Sequence, residues 1–356
     1  MRLVLIGDGD SPHLLKWARA LAPRVDLWAV SSRGFLPDFD ALVPPGRRLA
    51  LGLNPDHAGG NTAILKRVPQ VAAWLRRVDA DWLHAHYLTS HGTLAWAARA
   101  LASLRARLVG SAWGSDILVT PDQHWAYLWA TRTVLNACAL TTSDSLHMAD
   151  RMRQLGSREV MTFPFGLEAM PPEPAPKAPW RFFANRGLEP IYEPERVLRT
   201  FAAVAAVQPS AELVVANDGS LRPSLESLAR DLGLIERVRF VGRLDATAQA
   251  AEYDAARWFL SLPRSDSVSV SVLEALAHGC WPILSDLPAN HELAEAGPAV
   301  TVLNEGQDRE LPHRLQALLE ADGASMTLTQ RAWVAEHGLF EPAVAGFVAR
   351  LEALKR

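Results

Sequence analysis

Arg264-Ser265-Asp266-Ser267-Val268-Ser269-Val270-Ser271-Val272-Leu273-Glu274-Ala275-Leu276-Ala277-His278-Gly279 is the stretch whose reading decides the fold. An apolar run, Trp258-Phe259-Leu260-Ser261-Leu262, leads into it, and another, Trp281-Pro282-Ile283-Leu284-Ser285, follows. Short apolar runs bounded by turn residues read as buried strands, and the apolar stretch from Val270 reads as the helix between them. Ligands of open α/β sheets bind outside the carboxyl ends of the strands, which puts Asp266 in a ligand-facing loop. Glu274 falls about one turn into the helix, close enough to face the same ligand. Between the two acids, Ser267, Val268, Ser269, Val270 and Ser271 offer main-chain N–H groups at a helix start, a ready phosphate site. One carboxylate for a sugar, one for a ribose and a helix end for a diphosphate describe a nucleotide-sugar site. An ordinary strand–helix–strand unit with two solvated acids would show the same spacing, so the rest of the chain has to decide.

The 356 residues suggest about two domains. Hydrophobic content of 49% and charged content of 21% are those of a globular protein with apolar material for two cores. A net charge of −3 argues against nucleic acid as a partner, since that demands a basic surface. Lys occurs only at positions 16, 66, 177 and 355, so 32 of the 36 basic residues are Arg. Cys138 and Cys280 lack metal-ligand spacing and a disulfide framework, which suits a reducing compartment. The apolar run before Gly7 is too short for a signal-peptide core, and no run reaches the length of a membrane span. A cytoplasmic protein is expected.

The first half alternates strand candidates at Leu3–Ile6, Val25–Val30, Trp82–His86, Arg107–Ala112 and Leu140–Thr142 with helical stretches, including 64–77, 91–104 and 124–138. Ser11 and Pro12 read as N-cap and first helical residue. Five prolines between Met170 and Pro179 read as a stiff interdomain linker, because proline fits neither helix interiors nor central strands. A second series follows, with strands at Arg181–Ala184, Glu212–Ala216, Arg237–Val241, Trp258–Leu262, Ile283–Ser285 and Ala299–Leu303. Helices are expected to begin near Pro194, Ser220, Ala246, Val270 and His291. After residue 336, Val344, Phe347, Val348 and Leu351 mark one face of a terminal amphipathic helix. The expected domains are therefore 1–169, a linker at 170–179, 180–335, and a terminal helix at 336–356. Two doubly wound, Rossmann-like α/β domains on either side of a hinge put the active site in the cleft between them.

Asp266, Glu274, Ala275, Ala277, Gly279, Pro282 and Asp286 together resemble the signature of the retaining glycosyltransferases of family 4, which have the GT-B fold. That signature is Glu, seven residues, Glu, then Ala-x-Ala-x-Gly, an apolar strand and an Asp; here Asp266 stands for the first Glu, with a reach about one methylene shorter. Asn217-Asp218-Gly219, Val241-Gly242-Arg243 and Asn290-His291-Glu292 fall in family order as well. The resemblance implies that Arg186, with a Lys about six residues later, clamps the donor diphosphate. Position 192 is Tyr, and no Lys lies between 177 and 355, so Arg243 or Arg264 would have to assist Arg186 and the helix start. It also implies a terminal helix that crosses back to the first domain.

On the acceptor side, Gly7 and Gly9 close the first strand in a tight turn. The third glycine of a dinucleotide fingerprint is missing and Val30-Ser31-Ser32 lacks its acid, which argues against a nicotinamide site. His84-Ala85-His86-Tyr87 resembles the family's His-x-His-Tyr element; two histidines on one strand face would also suit a metal, but no third ligand is evident. Trp113 stands where relatives carry a His that bonds the transferred sugar, and its indole could do so only through one N–H. Asp116 is an acceptor-site or loop-capping carboxylate. The implied activity is metal-free, cofactor-free transfer of a hexose-type sugar from a UDP- or GDP-sugar to a saccharide, lipid-linked or small-molecule acceptor, with retention. The catalytic candidates are Asp266, Arg186, Asp116 and His86. Donor contacts are expected from Arg186, Gly219, Gly242, Arg243, Asp266, residues 267–271 and Glu274. Such a protein would be cytoplasmic, with room for a peripheral contact at the inner membrane face. Alternatives are a catalytically silent nucleotide-sugar binder or scaffold, and a GT-B epimerase or phosphorylase.

Overall fold

The computed structural model describes residues 1–53, 62–304, 306–320 and 323–355. The chain divides into two compact units, Met1–Phe163 with Phe340–Arg356, and Pro164–Leu339.

The first unit holds strands β1 (Arg2–Gly7), β2 (Asp26–Ser31), β3 (Arg48–Ala50), β4 (Trp82–His86), β5 (Arg107–Ser111), β6 (Cys138–Ser143) and β7 (Val160–Thr162). They form one parallel sheet in the order β3-β2-β1-β4-β5-β6-β7. Leu3, Val4, Leu5 and Ile6 are all fully buried, as expected when both faces of a parallel sheet are covered. Ser11 caps the helix Pro12–Leu21, its Oγ accepting the His13 N–H at 3.3 Å. The single helix expected at 64–77 is two, Thr62–Leu65 and Val68–Val78, because Pro69 lacks an N–H and belongs in a first turn.

The terminal helix begins at Phe340, not 336, since the preceding helix Gly323–His337 runs on to Gly338. It buries Phe340, Val344, Phe347 and Leu351. Trp17 meets Phe340 and Phe347 edge-on at 4.9 and 5.4 Å. Arg350 pairs with Glu159 at 2.6 Å and Lys355 with Asp81 at 2.8 Å.

The second unit holds β8 (Arg181–Ala184), β9 (Glu212–Ala216), β10 (Val238–Gly242), β11 (Trp258–Ser261), β12 (Trp281–Ser285) and β13 (Thr301–Leu303), parallel and ordered β10-β9-β8-β11-β12-β13. Successive side chains feed opposite cores: Phe182, Leu213, Val215, Trp258 and Leu260 on one face, Phe183, Val214, Ala216 and Phe259 on the other. In each sheet the order reverses beside its first strand, between β1 and β4 and between β8 and β11. The loops at those switch points are where ligands of such sheets bind.

The proline-rich stretch is not the crossing point between units; the chain crosses at 163/164 and 339/340. Its polar anchors hold it on the second unit. Lys177 Nζ donates to the carbonyls of Tyr253 and Asp254 at 2.6 and 2.9 Å, capping the negative end of the helix Ala246–Ala255. Arg331 donates to the carbonyls of Pro171 and Pro172, and Trp258 Nε1 to that of Pro179.

Candidate active site

Arg186 leaves the end of β8 and Asp266 the loop after β11, so the neighbouring strands of the switch point bring them together. Arg186 Nη2 lies 2.6 Å from Asp266 Oδ2, with the two side chains 19% and 23% exposed. Nη1 donates to Ser269 Oγ. The guanidinium sits 4.6 Å above the centre of the Tyr192 ring, a cation–π contact that holds its plane. Tyr192, standing where the resemblance expects a Lys, therefore orients the cation it does not supplement. Burial pushes the Asp266 carboxyl above its ordinary range, and the Arg186 charge and the Ser267 N–H pull it back. Ser267 N–H donates to Asp266 Oδ1 at 3.0 Å, fixing the loop.

Ser269 is the N-cap of the helix Val270–Ala277, and its carbonyl accepts from Val272 and Leu273. The N–H groups of Val270 and Ser271 are the orphan donors of that helix start. The side chains of Val268 and Val270 pack, partly buried, against the apolar core, so the polar groups these residues offer a ligand are those of the main chain.

Glu274 is the hub of a second network. Tyr253 Oη lies 2.9 Å from Glu274 Oε2, and Gln249 Nε2 donates to the same oxygen at 3.1 Å. Asn185 Nδ2 donates to Tyr253 Oη at 2.8 Å, and Ser271 O lies 3.1 Å from that hydroxyl. Burial first, then the Glu274 charge, raises the Tyr253 phenol well above its usual range, so it stays a proton donor. Asn185, Gln249 and Tyr253 were not among the residues expected in the site. Gln249 and Tyr253 stand four apart in the otherwise Ala-rich Ala246–Ala255 helix, a spacing that puts both on one face.

Gly219 and Gly242 shape the neighbouring loops. A Cβ on Gly219 would run into the Leu188 carbonyl, and Gly242 has φ +72°. Asn217, itself at φ +79°, donates its N–H to Gly242 O at 2.6 Å, tying the β9 and β10 ends together. Arg243 beyond them is exposed and makes no ion pair among the described residues. Arg264 is engaged with Glu193 at 2.8 Å. A small cavity behind Arg186 and Tyr192, lined by Leu188, Leu198, Val215 and Phe240 among others, is too apolar to seat phosphate.

In the first unit, Gly7 and Gly9 close β1 where a Cβ would strike Leu14 or Phe35. Asp8 between them accepts from Ser32 Oγ and lies 3.4 Å from His91 Nε2. Burial alone would raise its carboxyl; hydrogen bonds from His91 and Ser32 and the Arg33 charge outweigh that and hold it at about 2. His84 and His86 project from one face of β4 with ring centroids 4.3 Å apart, both fully buried. Burial lowers His84 to about 3 and His86 well below its usual value, so both rings are neutral.

The Trp113 indole N–H is spent on His86 Nδ1 at 3.1 Å, which corrects the expectation that it could serve a sugar. That bond also sets the His86 tautomer, with the proton on Nε2. Asp116 is fully buried, and its oxygens accept the Leu88 and Trp113 N–H groups, each at 2.8 Å. Burial brings it up to about 6 against those two bonds. Of the two roles the sequence left open for Asp116, the geometry is that of loop capping. Among the described residues no group of three or more His, Cys, Asp or Glu side chains is arranged to hold a metal ion.

Comparison with known proteins gives a consistent picture. Residues 168–333 match the family model described as glycosyl transferases group 1, and residues 2–145 that described as glycosyl transferase 4-like. The phosphatidyl-myo-inositol mannosyltransferase of Mycobacterium leprae is 25% identical over 334 residues, 89% of this chain and 85% of that one. The alpha-monoglucosyldiacylglycerol synthase of Streptococcus pneumoniae is 34% identical over 85 residues, only 24% of this chain and 19% of that enzyme. The crystal structure of Anabaena Alr3699/HepE in complex with UDP has a TM-score of 0.76 at 15% identity, over 99% of this chain and 100% of that one. Sucrose-phosphate synthase from Thermosynechococcus elongatus gives the same four figures. At that identity the two structures speak for the fold.

Proposed function

We propose that this chain, which belongs to the family-4 type of glycosyltransferase with the GT-B fold, moves a hexose-type sugar with retention and without a metal ion. Transfer from a nucleotide sugar in glycoconjugate biosynthesis is the premise; stereochemistry, metal independence and residue roles are our reading. Its principal support is the Arg186–Asp266–Ser269 constellation at the switch point of the second sheet. In this reading Glu274 accepts hydrogen bonds from the donor ribose. Arg186, the Val270 and Ser271 N–H groups and Arg243 meet the diphosphate. As the sugar–phosphate bond breaks, charge grows on the leaving phosphate, where fixed N–H donors and a guanidinium are worth most. Asp266 grips the transferred sugar.

In the first unit the Gly7-Asp8-Gly9 loop serves the acceptor, its glycines shaping the turn, while His86, buried and bonded to Trp113, supports the neighbouring loop together with Asp116. The departing phosphate oxygen takes the acceptor proton, as the resemblance implies.

The donor is a UDP- or GDP-sugar, in keeping with UDP in the complex of the structural neighbour. The acceptor is a saccharide, a small molecule or a lipid-linked hydroxyl; two relatives carry the names of a phosphatidyl-myo-inositol mannosyltransferase and an alpha-monoglucosyldiacylglycerol synthase. Two buried free thiols suit a cytoplasmic setting, with peripheral contact at the inner membrane face. No described helix is long and apolar enough to cross a membrane. The test is a thermal-shift panel of UDP-, GDP- and ADP-sugars, then anomeric NMR of the product made from the binding donor. An inverted anomer would overturn the retaining reading. Binding without transfer or donor hydrolysis would leave a nucleotide-sugar binder.

A further inference from the structure

The Tyr253 hydroxyl is fully buried beneath the donor site, touches no surface a ligand could reach, and yet ends on the carboxylate assigned to the ribose. Its hydrogen bonds have a direction. Asn185 Nδ2 has two protons and no acceptor role, so its 2.8 Å contact makes Tyr253 Oη the acceptor there. The single phenolic proton is then left for Glu274 Oε2 at 2.9 Å or Ser271 O at 3.1 Å, both on the helix Val270–Ala277. Gln249 Nε2, one helical turn before Tyr253, donates to the same Oε2. The charged carboxylate is the stronger acceptor of the phenolic proton, so Tyr253 and Gln249 converge on one oxygen of Glu274 and fix the side chain's rotation. The chain of contacts starts at the end of β8, beside Arg186, and so ties the groups assigned to ribose and to phosphate into one frame.

We propose that Tyr253, aimed by Asn185 and aided by Gln249, is a positioning residue that pre-sets the Glu274 carboxylate for the hydroxyls of the donor ribose. The inference rests on the reading of Glu274 as the ribose ligand. An unheld glutamate has three rotatable bonds to freeze on binding, and the network removes that cost before the nucleotide arrives. The consequence is specific: the network matters for a nucleotide that has ribose hydroxyls and not for one that lacks them.

The experiment is calorimetric titration of the whole chain with UDP and GDP and with their 2′,3′-dideoxy counterparts, for the wild type, Glu274→Gln, Tyr253→Phe and Gln249→Leu. Wild type should favour the ribonucleotide by about 10-fold or more, the worth of hydrogen bonds to a charged group. Glu274→Gln should collapse that ratio. Tyr253→Phe should lower it roughly 3- to 10-fold with dideoxynucleotide affinity unchanged, and in turnover the loss should fall on donor KM rather than kcat. Gln249→Leu, on a partly exposed helix face, should shift it in the same direction by roughly 2- to 3-fold and reports even where the buried change costs stability. If Glu274→Gln collapses the ratio and Tyr253→Phe and Gln249→Leu leave it at the wild-type value, the positioning role is wrong while the ribose reading stands. Equal weakening of both nucleotides by Tyr253→Phe would mean plain packing and would also overturn the proposal. An unchanged ratio in Glu274→Gln removes the ribose reading and this inference together.

Discussion

Asp266 should oppose nucleotide binding and yet be needed for turnover. The ligand-free site spends Arg186 on Asp266 at 2.6 Å, and the same guanidinium is the nearest cation to the helix start at Ser269. An incoming diphosphate must compete with the carboxylate for Arg186 and also meets its negative charge. Two unit charges about 4 Å apart attract with roughly 4 kcal/mol at an effective dielectric of 20, an upper bound here. Fully exposed pairs are worth about 1 kcal/mol or less. With side chains 19% and 23% exposed, the pair lies between these limits. Releasing it should favour diphosphate binding by about 1–2 kcal/mol, or roughly 5- to 30-fold in Kd. Asp266→Asn and Asp266→Ala should therefore bind UDP or GDP more tightly than wild type in calorimetric titration. The same variants should lose about 10- to 100-fold in kcat, because the contact proposed between Asp266 and the transferred sugar is gone. Asp266→Glu keeps the charge, so its nucleotide affinity should stay near wild type while turnover reports on reach. Weaker nucleotide binding by Asp266→Ala would refute the competition argument. Unaltered turnover in both variants would remove Asp266 from the chemistry.

How much of this could be read from residues alone depends on how local each cause is. The strands Arg2–Gly7 and Trp258–Ser261 are legible because a strand buried on both faces writes itself as an unbroken apolar run. β3 and β7 are not, since three partly exposed residues make no pattern. Five prolines read as a linker, but Lys177, Arg331 and Trp258 bind that segment to the second unit through its carbonyls, which proline retains. In the site, Asp266 and Glu274 announce themselves by spacing within one strand–helix unit. The partner of Asp266 is 80 residues away, and only the adjacency of β8 and β11 brings Arg186 to it. Trp113 is legible as an aromatic at a ligand-facing strand end; where its N–H points depends on His86, 27 residues earlier, and on Asp116 gripping the Trp113 main chain. Tyr253 escaped for the plainest reason. A buried Tyr on a helix reads as core, and its polar tip becomes informative only once the end of β8 and the Val270–Ala277 helix are placed around it.

Three further outcomes follow from the same geometry. Tyr192→Ala removes the ring under Arg186 and should weaken nucleoside diphosphate binding several-fold, the worth of a partly buried cation–π contact of about 1 kcal/mol, while Tyr192→Lys adds a second cation and should tighten it; a wild-type Kd for Tyr192→Ala would mean that the ring does not hold the cation. On the proposed reading Arg186, Arg243 and the Val270 helix start supply the positive field, so turnover should persist in EDTA; loss on chelation, restored by manganese, would assign that task to a metal. Asp8 gives the pH test. Its folded value of about 2 lies below the ordinary 3.8, so its ionised form stabilises the fold at neutral pH, and that contribution is lost as the pH falls from about 4 towards 2. The shift corresponds to about 2 kcal/mol at pH 7. Asp8→Asn should therefore lower the urea midpoint by that equivalent at pH 7, with Ser32 and His91 losing their anionic partner, and the gap to wild type should close as the pH approaches 2. A gap that stays constant from pH 7 down to the acid limb would show that the loss is one of shape, and that the charge network around Asp8 contributes nothing through its ionisation.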